Sequence, residues 1–234
     1  MSIQLPGDEQ SKAIQEVAKT ATKAIGAAEK FGGFVARLVS GSLEQGIGIF
    51  EDKLRYARWE RQARLMTKAS ELMLQIGEAN FSQAIPLKLA LPLLQAASVE
   101  DDDYLQDLWA RLLVGAATGV SQAELTRAHI AMLEQLSSFE ARILSVVYAL
   151  PYEEARHAGI LTDELPMAAR VRPETDQSNP KDPEAAVCLA LSNLGRVNCI
   201  LVHRSMGGGE HFSVVHPTRL GLSLVGAFTL GPSR

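Results

Sequence analysis

The chain has 234 residues, 47% of them apolar and 21% charged, with a formal net charge of −4. That length supports a full hydrophobic core without disulfides or a structural metal, and the acidic balance excludes binding to nucleic acid by bulk charge alone. Cys188 and Cys199 are the only cysteines, so no disulfide framework is expected and a reducing cytoplasm is the expected location.

The opening residues, "MSIQLPGDEQSK", hold no basic start followed by an apolar run, so no signal peptide is expected. No window of about 18 uncharged apolar residues occurs, which argues against a conventional membrane span. Residues 8–78 read as helix almost throughout. Ile14, Val17, Ala18, Ala21, Ile25, Ala28, Phe31 and Val35 repeat at three and four. Within that arm "FGGFVARLVSGSLEQGIGIF", residues 31–50, carries five glycines. Each interior helical Gly costs about 1 kcal/mol against Ala. A break is expected near residues 40–41 or 46–48. Gly33, Gly41 and Gly46 would let another helix approach closely, as small residues do in membrane bundles. Phe31, Phe34, Val35, Leu38, Val39, Leu43, Ile47 and Phe50 supply apolar contacts to a membrane or a partner. Two readings stand: a conditionally membrane-active amphipathic segment, or an intramolecular hairpin of tightly packed helices.

Residues 51–76 read as a strong helix bearing a basic ridge, Arg55, Arg58, Arg61, Arg64 and Lys68. The ridge has three readings. It pairs with the acidic start at 100–107, forms a solvated face, or meets an anionic partner such as phosphate, lipid or nucleic acid. Pro86 and Pro92 punctuate a short or kinked apolar helix over 81–97. Three start signals follow: Ser98 with Asp101, Ser121 with Glu124, and Ser137 with Glu140, each at capping-box spacing. The first opens a helix with Leu105, Leu108, Trp109, Leu112 and Leu113 on one face, closed by Gly119.

The remainder changes character. Residues 172–182 read as an exposed loop. Asp182 caps a helix that Pro183 opens and Gly195 stops. Two strands surround the glycines 207–209, and a last helix follows. Helix, helix, hairpin, helix is the order of a winged-helix-like module. The expected fold is therefore mostly α: an N-terminal helical arm over 1–78, a central helical bundle over 79–136, and a small α+β winged-helix-like module with one β-hairpin over 137–234.

"IPLKLALPLLQAASVEDDDYLQDLWARLLVGAAT", residues 85–118, joins a Pro-containing apolar helix, an acidic cap and a helix with an "LWARLL"-like core. This stretch resembles the central signature of the bacterial abortive-infection alpha family. The preceding "DKLRYARWERQARLMTKASELM" is similar to that family's basic helix, and "LGRVNCILV…HPTRLGLSLVGAF" to its ending. The resemblance covers most of residues 45–230 and implies defence against bacteriophage. It supplies no mechanism and does not extend securely to the Gly-rich arm.

No residue pattern makes a case for an enzyme. Glu100, Asp101, Asp102, Asp103 and Asp107 are hard-cation ligand types, yet carboxylates also favour the start of a helix. On a regular strand Cys199 and His203 would stand roughly 13 Å apart, too wide for one zinc ion, and His211 and His216 would face opposite sides. The glycines at 207–209 lie in a hairpin turn and make no phosphate loop. No cofactor and no metal are expected. Helix 183–194 carries no Lys or Arg, so nucleic-acid contact through Arg196, Arg204 and Arg219 is the alternative reading. A protein partner or self-association, with conditional contact at the inner membrane, is the principal one.

Overall fold

The computed structural model describes residues 30, 32–37, 59–78, 81–176 and 178–231. The described chain is mostly helical with a small antiparallel sheet, as the sequence reading expects. Of the predicted arm, residues 32–37 are helical, while the breaks expected near 40–41 and 46–48 lie outside the described residues. The helices are α1 (Trp59–Gln75), α2 (Leu87–Val99), α3 (Asp103–Thr118), α4 (Arg127–Leu133), α5 (Ser138–Tyr148) and α6 (Tyr152–Ala158). Strands β1 (Ile160–Leu161) and β2 (Arg170–Val171), helix α7 (Ala185–Arg196), strands β3 (Ile200–Arg204) and β4 (Glu210–Pro217), and helix α8 (Arg219–Phe228) complete the order.

Helix α3 is the centre. Its "LWARLL" run places Leu108, Trp109, Leu112 and Leu113 in the core, and Ala110 and Val114 on its other sides are buried as well. A helix buried all round needs neighbours on every side, and α1, α2, α5 and α8 supply them. Helix α1 turns Leu65, Ala69, Leu72 and Met73 inward, at helical spacing. Gly115 of α3 lies against the backbone of α8 at Ala227, 3.1 Å from where a Cβ would stand, so a larger residue would push the two helices apart. Gly119 then ends α3 in the left-handed conformation, φ 73°.

Two predicted helix starts move. Ser98 is not a cap: α2 runs on to Val99, because the extra turn buries Ala97 and Ser98 against the bundle. The cap of α3 is Asp102, whose carboxylate accepts from the Tyr104 and Leu105 amides at 2.9 and 3.0 Å. Ser121 instead forms a bridge with Leu230, and the cap of α4 is Thr126, in a box closed by His129. The third signal holds, with Ser137 and Glu140 making a reciprocal capping box on α5.

The sheet runs β2-β1-β4-β3, every pair antiparallel. The hairpin β3–β4 was legible, while β1 and β2 are too short to show a period. Asp182 does not cap α7, which begins at Ala185 after Glu184. Its carboxylate instead accepts the Phe212 and Ser213 amides, at 2.7 and 2.8 Å, where β4 bulges. Gly195 does not stop α7 either; the left-handed turn falls at Asn198, φ 59°. Tyr148 ties this part to α5: its hydroxyl donates to the Cys199 carbonyl at 2.5 Å and accepts from the Thr218 amide at 2.9 Å.

Candidate functional site

The helical segment 32–37 offers two apolar side chains in succession, Phe34 and Val35, and both are buried, at 4% and 7% exposure. The Phe34 ring meets Phe81 edge-to-face, with centroids 5.7 Å apart at 79°. That geometry sets the positive edge of one ring on the negative face of the other. Phe81 lies just before α2 and packs against the core itself. The remaining residues of the segment, Gly32, Gly33, Ala36 and Arg37, are exposed. Within the segment 32–37 the buried side chains are therefore Phe34 and Val35.

Among the described residues nothing lies within 4 Å of where a side chain at Gly32 or Gly33 would stand. The Phe34–Phe81 contact uses large side chains, and among the described residues close backbone approach falls on Gly115, Gly221 and Gly226 of the core helices. Gly41 and Gly46 lie outside the described residues, as do Phe31, Leu38, Val39, Leu43, Ile47 and Phe50.

The basic ridge runs along α1. Arg55 and Arg58 lie outside the described residues. Arg61 donates to the Val99 carbonyl at 2.7 Å and pairs with Asp101 at 3.1 Å. Arg64 pairs with Asp103 at 2.7 Å. Lys68 is half-buried further along the helix. The two arginines therefore face the acidic start of α3, the first of the three readings of this ridge. Asp101 and Asp103 remain 78% exposed, so water screens both pairs.

The other acidic residues have separate tasks. Glu100 accepts the Asp101 and Asp102 amides, and Asp107 pairs with Arg111 one turn on, at 2.7 Å. Hydrogen bonds from the Leu105 amide and the Ser138 side chain hold the Asp102 carboxyl below its ordinary value. Among the described residues no group of three His, Cys, Asp or Glu side chains is placed to hold a metal ion. Cys199 is fully buried, and burial pushes its thiol up to about 12, unlike a thiolate ligand.

Behind the ridge the α1–α2–α3 junction holds buried polar groups. Gln106 donates to the Arg61 carbonyl at 3.3 Å, while its Oε1, Ser98 Oγ and Trp109 Nε1 have no hydrogen-bond partner. The sequence pattern marked Ser98 as a cap and Trp109 as core but gave no sign that their polar atoms, or Gln106 Oε1, would be buried together.

Arg196, Arg204 and Arg219 are not brought to one surface task. Arg196 donates to Asn193 and Gln135 at 2.9 and 2.8 Å. Arg204 pairs loosely with Glu210 across the hairpin, at 3.5 Å. Arg219 lies 5.9 Å over the Tyr152 ring. The outer side of α7 presents Ala185, Ala186 and a 75% exposed Leu189, an apolar surface with little to offer phosphates. The loop 172–184 borders an open groove of about 750 Å³ lined by both signs of charge, including Asp163, Arg170, Asp176 and Lys181. Among the described residues no helix is long and apolar enough to cross a membrane.

A family model described as abortive infection alpha matches residues 57–218, from just before α1 to the cap of α8. No curated protein and no solved structure matches the chain. The match takes in α1 to α7, the ridge from Arg58 onward and the sheet, and leaves the arm segment 32–37 and α8 outside it.

Proposed function

The chain belongs to the abortive infection alpha family, and from that premise we infer a non-enzymatic role in defence against bacteriophage, carried by release of the apolar Gly-rich arm. In the resting protein the arm is held on the bundle in the cytoplasm. On infection the bundle or the sheet module receives a trigger and the arm, residues 10–50, moves to the inner membrane or to a protein partner. The observation that carries this reading is the seat of Phe34 and Val35 beside Phe81. A buried Phe contributes about 1.5–3 kcal/mol of burial energy, and an aromatic pair about 0.5–1.5 kcal/mol more. A few kcal/mol is within reach of a ligand that binds the released state better. The apolar exterior of α7 at Leu189 fits a protein contact for the trigger.

The experiment changes the receptor side of the seat and leaves the arm sequence alone. Phe81→Asp is expected to make induced cells lose membrane potential and stop growing without phage. Adding Leu38→Asp and Val39→Asp to that variant is expected to restore growth. Harmless Phe81→Asp, or toxicity unaffected by the arm changes, would refute release of the arm as the toxic act.

A further inference from the structure

Four of the five histidines, His157, His203, His211 and His216, lie on α6, β3 and β4. On a regular strand His211 and His216 would face opposite sides, but the hairpin is not regular. Its register passes from Val202 opposite Val215 to His203 opposite His211, skipping 212–214 on β4. The bulge therefore brings both partners to one imidazole. His211 stands directly across from His203, and the rings of His203 and His216 meet at 4.8 Å and 69°.

Charged groups of both signs lie on the neighbouring elements. On the hairpin itself, Glu210 is engaged by Arg204. From α6 come Glu153, Glu154, Arg156 and His157. Arg156 pairs with Glu153 at 3.1 Å, donates to His157 Nε2 at 3.0 Å, and offers its carbonyl to His216 Nδ1 at 3.0 Å. From α7 come Glu184 at its start and Arg196, which is turned to Asn193 and Gln135. From the loop, Asp182 takes the Phe212 and Ser213 amides, and β1 contributes only Ile160 and Leu161. Among the described residues no carboxylate pairs with any imidazole of the group. Burial first, then His216 and His211, hold the His203 imidazole below its ordinary value.

We propose that the β3–β4 hairpin is an acid-sensitive latch, in which protonation of His203, set against His211 and His216 at the bulge, drives the strands apart and lifts β4 from α6. The neutral His203 ring is the form that the folded hairpin favours. The closed hairpin is therefore fully stable above the unfolded histidine value of 6.5, and it weakens as pH falls through that value toward the lower folded one. Opening withdraws His216 and Val214 from their rest against Gly159, which sits at φ 83°. The latch works independently of the arm.

The test is amide hydrogen exchange on the full chain at pH 7.5 and 5.5, corrected for intrinsic exchange, comparing the natural protein with His203→Gln/His211→Gln. Both changed residues are exposed, so the fold is expected to survive. Amides of 200–204 and 210–217 should lose protection severalfold at pH 5.5 relative to pH 7.5. Amides of α3 should not, and the double variant should lose much less in the hairpin. Equal hairpin protection at both pH values overturns the proposal, and so does the same loss in the variant. Should the double variant fail to melt cooperatively at pH 7.5, His211→Gln alone decides, by a smaller loss than in the natural protein or an equal one.

Discussion

Helix α3 and the arm segment 32–37 both reach the same core, by opposite means. Eleven of the sixteen residues of α3 are buried, and helices pack against it on several sides. The arm segment inserts two side chains and leaves its glycines clear of the other described residues. The lesson is one of separability. An element buried on most sides leaves only when the domain unfolds, whereas a short segment that buries few of its described side chains is a candidate to open locally. The first belongs to the family-matched region and the second lies outside it. The proposed release of the arm calls for both properties, a durable body and a part that can be let go.

The sharpest way to break that contrast is Trp109→Ala. Trp109 is 1% exposed at the centre of α3, and its loss should cost about 3–5 kcal/mol. A urea melt should show the bundle and the arm segment lost together. Lowering the pH acts on the bundle more gently. His129, 1% exposed, accepts the Thr126 amide at Nδ1 at 3.3 Å, which leaves Nε2 to donate to Ser223 Oγ at 3.0 Å. Burial lowers its value from 6.5, so the neutral ring is the folded form and stability falls as pH drops below 6.5. The loss should reach up to about 1.4 kcal/mol per pH unit between the unfolded and folded values. It should be reduced in His129→Gln, with the change reported by α4 and α8. Arg64→Ala should do least. Its partner Asp103 is 78% exposed, and the melting midpoint should move by less than about 1 kcal/mol equivalent. A large loss there would mean that the ridge holds α1 in place, and the contrast would have to be redrawn around charge.

Much of the scaffold was legible, for reasons that can be named. The apolar face Leu105, Leu108, Trp109, Leu112, Leu113 marked α3 because a buried helix must repeat at 3.6. Ser137 and Glu140 marked α5 because their bonds are local to one turn. Ser98 misled because the same residue type suits a cap and a buried turn, and packing of Ala97 decided between them. Asp182 misled because its partners, Phe212 and Ser213, lie thirty residues away. The histidine group was hidden by parity: counting along β4 separates His211 from His216, and only the bulge reunites them. At the arm, Phe34 and Val35, singled out as membrane or partner contacts, are buried against the bundle, and among the described residues the close backbone approaches fall on Gly115, Gly221 and Gly226. Spacing shows which residues can meet a partner. It does not show which backbone the partner comes close to.

The central claim is that the arm is seated by Phe34 on Phe81 and can leave without disturbing the body. The direct measurement is residue-resolved hydrogen exchange on the full chain carrying Phe81→Ala. The account predicts that amides of 32–37 lose their protection while those of α3 and the melting temperature of the bundle hold. Unchanged protection at 32–37, or a loss shared equally by α3, would contradict it.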